Sequence, residues 1–166
     1  MSNDAIVILK DDHKRVRALF KKFQDTAPNA HVTRGHIVDE IIQELTVHTY
    51  IENEVMYPQI RALLPELEQD VLESYEEHHV ADLLVMELTA LKPDAEHFHA
   101  KATVLIENVT HHIDEEEKDW FPKVRAGLSR KQLTDIGTQL LDSKKTAPRR
   151  PSQPGALKKV ADALLS

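Results

Sequence analysis

Apolar residues recur along this chain every three or four positions, in four long runs. Ile6, Leu9, Val16, Phe20 and Phe23 form one stripe, and Ile37, Ile41, Leu45 and Val55 a second. Val71, Tyr75, Ala81, Val85 and Leu88 form a third, and Ala102, Leu105, Val109 and Trp120 a fourth. That period is the α-helix's, since residues three and four apart share a face. The spacing predicts a first helix capped by Asn3 or Asp4 and ending near Thr26. A second helix starts at a Thr33 cap, is kinked or narrowed at Tyr57-Pro58 and breaks at Pro65. A third runs from Glu66 to about Leu91. After the Lys92-Pro93-Asp94 turn a fourth runs from about Ala95 to Ala126, where Gly127 ends it as a C-terminal cap. Ser129 caps a shorter fifth helix through Leu133, Ile136, Leu140 and Leu141. The fold class is all-α.

The composition changes at Ser143 to a basic, Pro-rich linker, followed by apolar residues at helical spacing over 156–165. The organisation predicted is a helical bundle over 1–128, an additional helix over 129–142, and a linker with a short amphipathic tail helix over 143–166. The tail is expected to be dispensable for whatever the bundle binds. A chain of 166 residues can bury a core without staples, and it has no Cys to staple. The formal net charge of -7 is spread along the chain, which disfavours a nucleic-acid partner. No apolar run approaches the length of a membrane span, and the start has no signal-peptide pattern. A cytoplasmic location is the expectation.

Histidine changes the picture. There are ten, and four of them interrupt the apolar stripes, one per long helix: His13, His48, His78 and His112. His79 is the rival of His78. Apolar Ala81, Val85 and Leu88 follow His78 at the spacing with which Val16, Phe20 and Phe23 follow His13, whereas His79 leads to Asp82, Met86 and Thr89. Glu52 follows His48 by four residues and Glu116 follows His112 by four, so each pair shares a helix face. The second and fourth helices also repeat with an offset of 64. His48, Glu52, Tyr57, Pro58, Arg61 and Ala62 return as His112, Glu116, Phe121, Pro122, Arg125 and Ala126.

A lone His on an apolar face is usually a satisfied core residue. Four in register with two carboxylates would be costly to bury unpaired. A metal removes that penalty by taking neutral imidazoles and ionised carboxylates as ligands. The six groups exceed one tetrahedral zinc site, and two carboxylate-bridged ions would use them all. Imidazole and carboxylate without sulfur suit iron, and also manganese or zinc. His31, His36, His97, His99 and His111 are read as exposed. Glu115 and Glu117 are read as a solvated face, with Glu115 the fallback ligand.

The order His13, His48-x-x-x-Glu52, Glu77-His78, His112-x-x-x-Glu116, with Pro six residues after each ligand Glu, resembles the hemerythrin-like HHE cation-binding family. The likeness covers about residues 4–127, and the chain with its basic tail is similar to the mycobacterial and actinobacterial members. The resemblance implies an up-down-up-down four-helix bundle around two non-haem iron ions, oxo- or hydroxo-bridged. It implies His13 and His48 on one iron, His78 and His112 on the other, and Glu52 and Glu116 bridging.

One position departs from the oxygen-carrying members, which place a further His one turn before the third-helix His; here that position is Ser74. Tyr75, three residues before His78, is the candidate to fill the vacancy or to hydrogen-bond a bound oxygen species, or else a core residue. The resemblance therefore implies chemistry on O2, peroxide or nitric oxide, such as catalase-like peroxide disproportionation in stress defence, rather than simple oxygen carriage. Three other readings stand beside it. One is an O2- or iron-sensing binding module whose tail meets a protein partner. Another is a ferritin-like oxidase, disfavoured because that family orders its motif as Glu-x-x-His. The last is a metal-free structural bundle.

Overall fold

The structure is a computed structural model that describes residues 2–151; the expected tail helix over 156–165 lies outside the described residues. Helix α1 spans Ala5–Asp25, α2 His31–Ile51, α3 Tyr57–Leu63, α4 Glu68–Ala90, α5 Phe98–Glu115, α6 Phe121–Gly127 and α7 Arg130–Thr146. No strand occurs among the described residues. Two pairs are nearly continuous: α2 runs into α3, and α5 into α6. Four long rods therefore pack as an antiparallel bundle, and α7 lies along α1 and α2.

Local chemistry caps α1 and α7. Asp4 caps α1, its Oδ1 accepting from the amides of Ile6 and Val7. Ser129 and Gln132 form a reciprocal capping box on α7. Thr33 is not the cap of α2: the helix begins two residues earlier, at His31, with no side-chain cap. Nor is Gly127 a left-handed cap, since no glycine among the described residues has positive φ. A Cβ at Gly127 would meet the Leu64 side chain, so its smallness serves packing. Gly137 matters more. A Cβ there would stand 1.7 Å from the Asn3 carbonyl oxygen, so only glycine lets α7 lie this close to the start of α1. Helix α7 also runs on to Thr146, beyond the boundary expected at 142.

The rods do not narrow at their prolines; they widen. Residues Glu52–Met56 and Glu116–Trp120 each form one π turn, closed by the amide of Tyr57 on the Glu52 carbonyl and that of Phe121 on the Glu116 carbonyl. Pro58 and Pro122 follow at once, inside the first turn of α3 and α6. A proline lacks the amide hydrogen and crowds the carbonyl four residues back. The wide turn relieves both faults, because a helix that restarts tolerates proline at its beginning.

The core divides into two clusters. One, built on Leu9, Ile51, Met56, Ile60, Phe121 and, from α7, Ile136, closes one end of the bundle. The other, with Phe20, Phe23, Ile41, Val85, Leu105 and Val109, closes the opposite end. The interrupting polar residues lie between them.

Candidate metal centre

His13, His48, Glu52, His78, His112 and Glu116 are all buried and come from four different rods. Their inward atoms converge in two groups. One ligand atom each from His13, His48, Glu52 and Glu116 lies within 4.8 Å of the others, and Glu52, His78 and His112 form a second such group. Within the pairs, Nε2 of His13 is 3.2 Å from Nε2 of His48, and Nε2 of His78 is 3.0 Å from Nε2 of His112. Glu52 belongs to both groups: its Oε2 lies 3.3 Å from His48 and 3.1 Å from His78. Glu116 spans them too, with Oε2 3.2 Å from His13 and Oε1 3.5 Å from His112. The structure thus brings together all six residues expected at the site.

Each imidazole is aimed by a partner on its outer nitrogen. His13 Nδ1 meets Glu117 Oε1 at 2.8 Å and His78 Nδ1 meets Asn53 Oδ1 at 2.8 Å. His48 Nδ1 is 3.3 Å from Asp12 Oδ2, and His112 Nδ1 bonds Glu77 Oε2. The arrangement has a two-fold logic. The residue after each ligand Glu (Asn53, Glu117) holds the histidine of α4 or α1. The residue before that histidine (Asp12, Glu77) holds the one of α2 or α5. With Nδ1 engaged, every Nε2 is left to face inward, which is how proteins orient imidazole ligands. Glu117, expected on a solvated face, is instead half-buried against His13.

Tyr57 is the residue the sequence pattern did not single out. It is fully buried, and its hydroxyl lies 2.7 Å from Glu116 Oε1, 3.1 Å from Glu52 Oε2 and 3.1 Å from His78 Nε2. On a regular helix it would sit about 140° from Glu52, five residues on. The π turn adds a residue and returns it to the same face. Tyr75 takes a different place: its hydroxyl donates to the Asn53 carbonyl at 3.3 Å, and its ring packs edge-on against Tyr57 at 5.0 Å. Ser74 is buried and donates to the Asp70 carbonyl. The five histidines read as exposed are exposed.

The buried charges hold one another. Burial acts to lower the pKa of His48, but the charge of Glu52 and the bonds to Asp12 and Glu52 outweigh it and raise it to about 10. Burial likewise opposes, without preventing, a rise at His112 that Glu116 and Glu77 cause. Glu52 is held well below the usual carboxylate range, against its burial, by the histidines around it. His78 goes down, chiefly through burial. Burial, then the charges of Glu116 and Glu52, push Tyr57 well up, so it stays a neutral phenol.

A cation fits this donor set. Oε1 of Glu52 and Oε2 of Glu116 are buried without a hydrogen-bond partner, the latter out of hydrogen-bonding alignment with His13 despite the short approach. Buried carboxylate oxygens are rarely left so. Four imidazoles and two carboxylates, with no sulfur, suit iron, manganese or zinc. Beside the centre, a cavity of about 10 Å³ between α2, α4 and α5 is lined by His48, Thr49, Glu77, His78, Asn108 and His112, among others. That is room for one water-sized molecule.

Comparison with known proteins agrees with this geometry. The family model described as the hemerythrin HHE cation binding domain matches residues 4–124. A solved structure of a hemerythrin HHE cation-binding domain-containing protein from Mycobacterium kansasii superposes with a TM-score of 0.71 at 20% identity, covering 86% of each chain. An uncharacterised hemerythrin-like protein of Schizosaccharomyces pombe is 24% identical over 146 residues, 87% of this chain and 70% of that one. A protein named DNA nickase from a Nostoc species is 27% identical over 143 residues, 86% of this chain. The chain spans 40% of that nickase's length.

Proposed function

This chain belongs to the hemerythrin HHE cation-binding family, and from that premise we propose that it is a non-haem di-iron protein that reacts with small oxygen or nitrogen species. Peroxide disproportionation is the concrete form. His13 and His48 would hold one ion and His78 and His112 the other, with Glu52 and Glu116 shared between them. The observation that carries the reading is the sharing of Glu52 between the two ligand groups, with one oxygen of each buried carboxylate unpartnered. Two irons, when bound, supply a store of two electrons.

The protein's own groups do the rest. Asp12, Asn53, Glu77 and Glu117 fix the imidazoles in the orientation that leaves Nε2 free. Tyr57 keeps its proton in the buried centre, within hydrogen-bond reach of both carboxylates and of His78, where its hydroxyl can donate to a small oxygen or nitrogen species. The small cavity between α2, α4 and α5 has room for a ligand of about the size of water.

The test is an optical spectrum of the purified protein with iron counting, before and after peroxide. About two irons per chain, an oxo-bridged di-iron absorption and gas evolution are expected. A preparation that refuses iron under reducing, anaerobic reconstitution would refute the reading.

A sensing module without turnover has one observation in its favour. Lys144, near the end of α7, pairs with Asp12, the group that holds His48. The tail begins within a few residues of a group that touches the centre's own ligand. Reversible O2 binding with no peroxide turnover would select this reading. The DNA in the nickase's name belongs to a protein much longer than the part this chain matches, and the net charge of -7 disfavours that partner here.

A further inference from the structure

The two halves of the centre are built alike but end differently at the surface. Asp12 and Glu77 stand in equivalent places, each holding an α2 or α5 histidine by its Nδ1. Asp12's other oxygen is taken by two cations, Arg15 and Lys144. That side is closed to a metal ion by charge and by occupancy. Glu77's other oxygen faces outward, toward His111 at 3.9 Å, and His111 Nε2 lies 3.1 Å from Glu115 Oε1. One ligand atom from each of Glu77, His111 and Glu115 lies within 4.8 Å of the others. Separations of 3–4 Å are those between donors around a single ion bound at about 2.0–2.2 Å.

This cluster is not inherited from the repeat. The first-half counterparts of His111 and Glu115, 64 residues earlier, are Val47 and Ile51, which ligate nothing. His111 is two-thirds exposed, at 67% of its side chain, whereas Glu77 is mostly covered, at 17%. Glu77 also lines the small cavity with His48, His78 and His112. Asn108, one turn before His111 and His112 on α5, lines that cavity as well, and its buried Oδ1 has no hydrogen-bond partner. An unmet amide oxygen therefore lies in the same cavity wall as Glu77 and His112.

We propose that Glu77, His111 and Glu115 form a third, weaker divalent-cation site, through which metal is captured at the surface and passed to the buried centre. The proposal rests on the reading of that centre as a metal site. His111 and Glu115 bind the arriving ion in exchange for water. Glu77 is the shared step, with one oxygen on the surface cluster and the other on His112. Moving from one to the other requires a change of Glu77 rotamer, not of the fold. No redox change is involved, and the ion keeps its charge throughout.

Two measurements on the full chain test this, with His111→Ala and Glu115→Gln as the variants. Neither residue belongs to the six-ligand centre, and both side chains face solvent. Calorimetric titration of the metal-free chain with Zn(II) should show a tight class and, beyond it, one weaker ion. Each variant should lose the weak class and keep the tight one. Stopped-flow uptake of Fe(II) by the metal-free chain should slow about tenfold in each variant, within the range by which local charge raises the capture rate of a counter-ion, while the final stoichiometry stays that of the parent. The tight class reports the buried centre and the weak class reports this site, so the two readings fail separately. A parent chain without the weak class, variants that retain it, or uptake rates equal to the parent's would each overturn the proposal.

Discussion

Tyr57 and Phe121 hold the same place in the two halves of the repeat and meet the centre in opposite ways. Tyr57 puts a hydroxyl between Glu52 and Glu116. Phe121 lays its ring parallel to the His13 imidazole, 5.8 Å between centroids and 6° between planes. One half of the centre therefore carries a proton donor where the other carries an apolar wall. The two ligand groups are therefore walled differently, one by a hydroxyl and the other by an apolar ring.

Tyr57→Phe removes that oxygen and keeps the volume. Iron should still be bound at the parent's stoichiometry, while the visible spectrum and the peroxide rate change. The metal-free chain should lose about 1.5–3 kcal/mol of unfolding free energy, as for a hydrogen bond to a charged partner. Tyr75→Phe, whose hydroxyl reaches only a backbone carbonyl, should change spectrum and rate less. Equal effects of the two substitutions, measured side by side, would return Tyr57 to simple packing.

Glu52→Ala and Glu116→Ala each remove a carboxylate shared between the ligand groups. Each should lose at least one iron and most peroxide activity. Full iron content with full activity in either variant would show that the carboxylate does not bridge.

The end of α7 is not all alike. A chain stopped after Thr146 should bind iron as the full chain does. One stopped after Asp142 loses Lys144, and with it one of the two cations on Asp12. Because Arg15 remains, the loss should be about 1.5 kcal/mol, the low end for a charged hydrogen bond. Denaturant titration of both truncations compares them directly; identical midpoints would show that Lys144 does not support Asp12.

The metal-free chain should weaken as the solution is made alkaline. His48 titrates at about 10 in the folded chain and near 6.5 unfolded. A raised folded-state pKa stabilises fully below the unfolded value and fades as pH rises through the folded one. The contribution of His48 is therefore present at pH 6 and lost between about 6.5 and 10. Glu52, held low, works at the other end: its contribution is lost as pH falls through its folded value. Metal requires the neutral imidazole, so binding releases protons and tightens as pH rises. Unfolding midpoints from pH 6 to 10, with and without Zn(II), should diverge. Parallel curves would contradict the assignment.

Much of this centre is local information. The apolar period, the polar residues that break it and the i, i+4 spacing are set by helical geometry alone. They were enough to find four helices, the six converging groups and the choice of His78, which is buried, over the half-buried His79. The family followed from the same residues. What the sequence could not place depended on breaks in that geometry or on neighbours distant along the chain. Tyr57 lies five residues after Glu52, off its face until a π turn of that length brings it back. The proline after it was legible, but the widening of the rod into a π turn that restarts the helix at that proline was not. Asp12, Asn53, Glu77 and Glu117 each sit next to a ligand in sequence, yet serve a histidine on another helix. Only the side-by-side assembly of the rods pairs them, because a hydrogen bond across a bundle has no period in the chain that makes it.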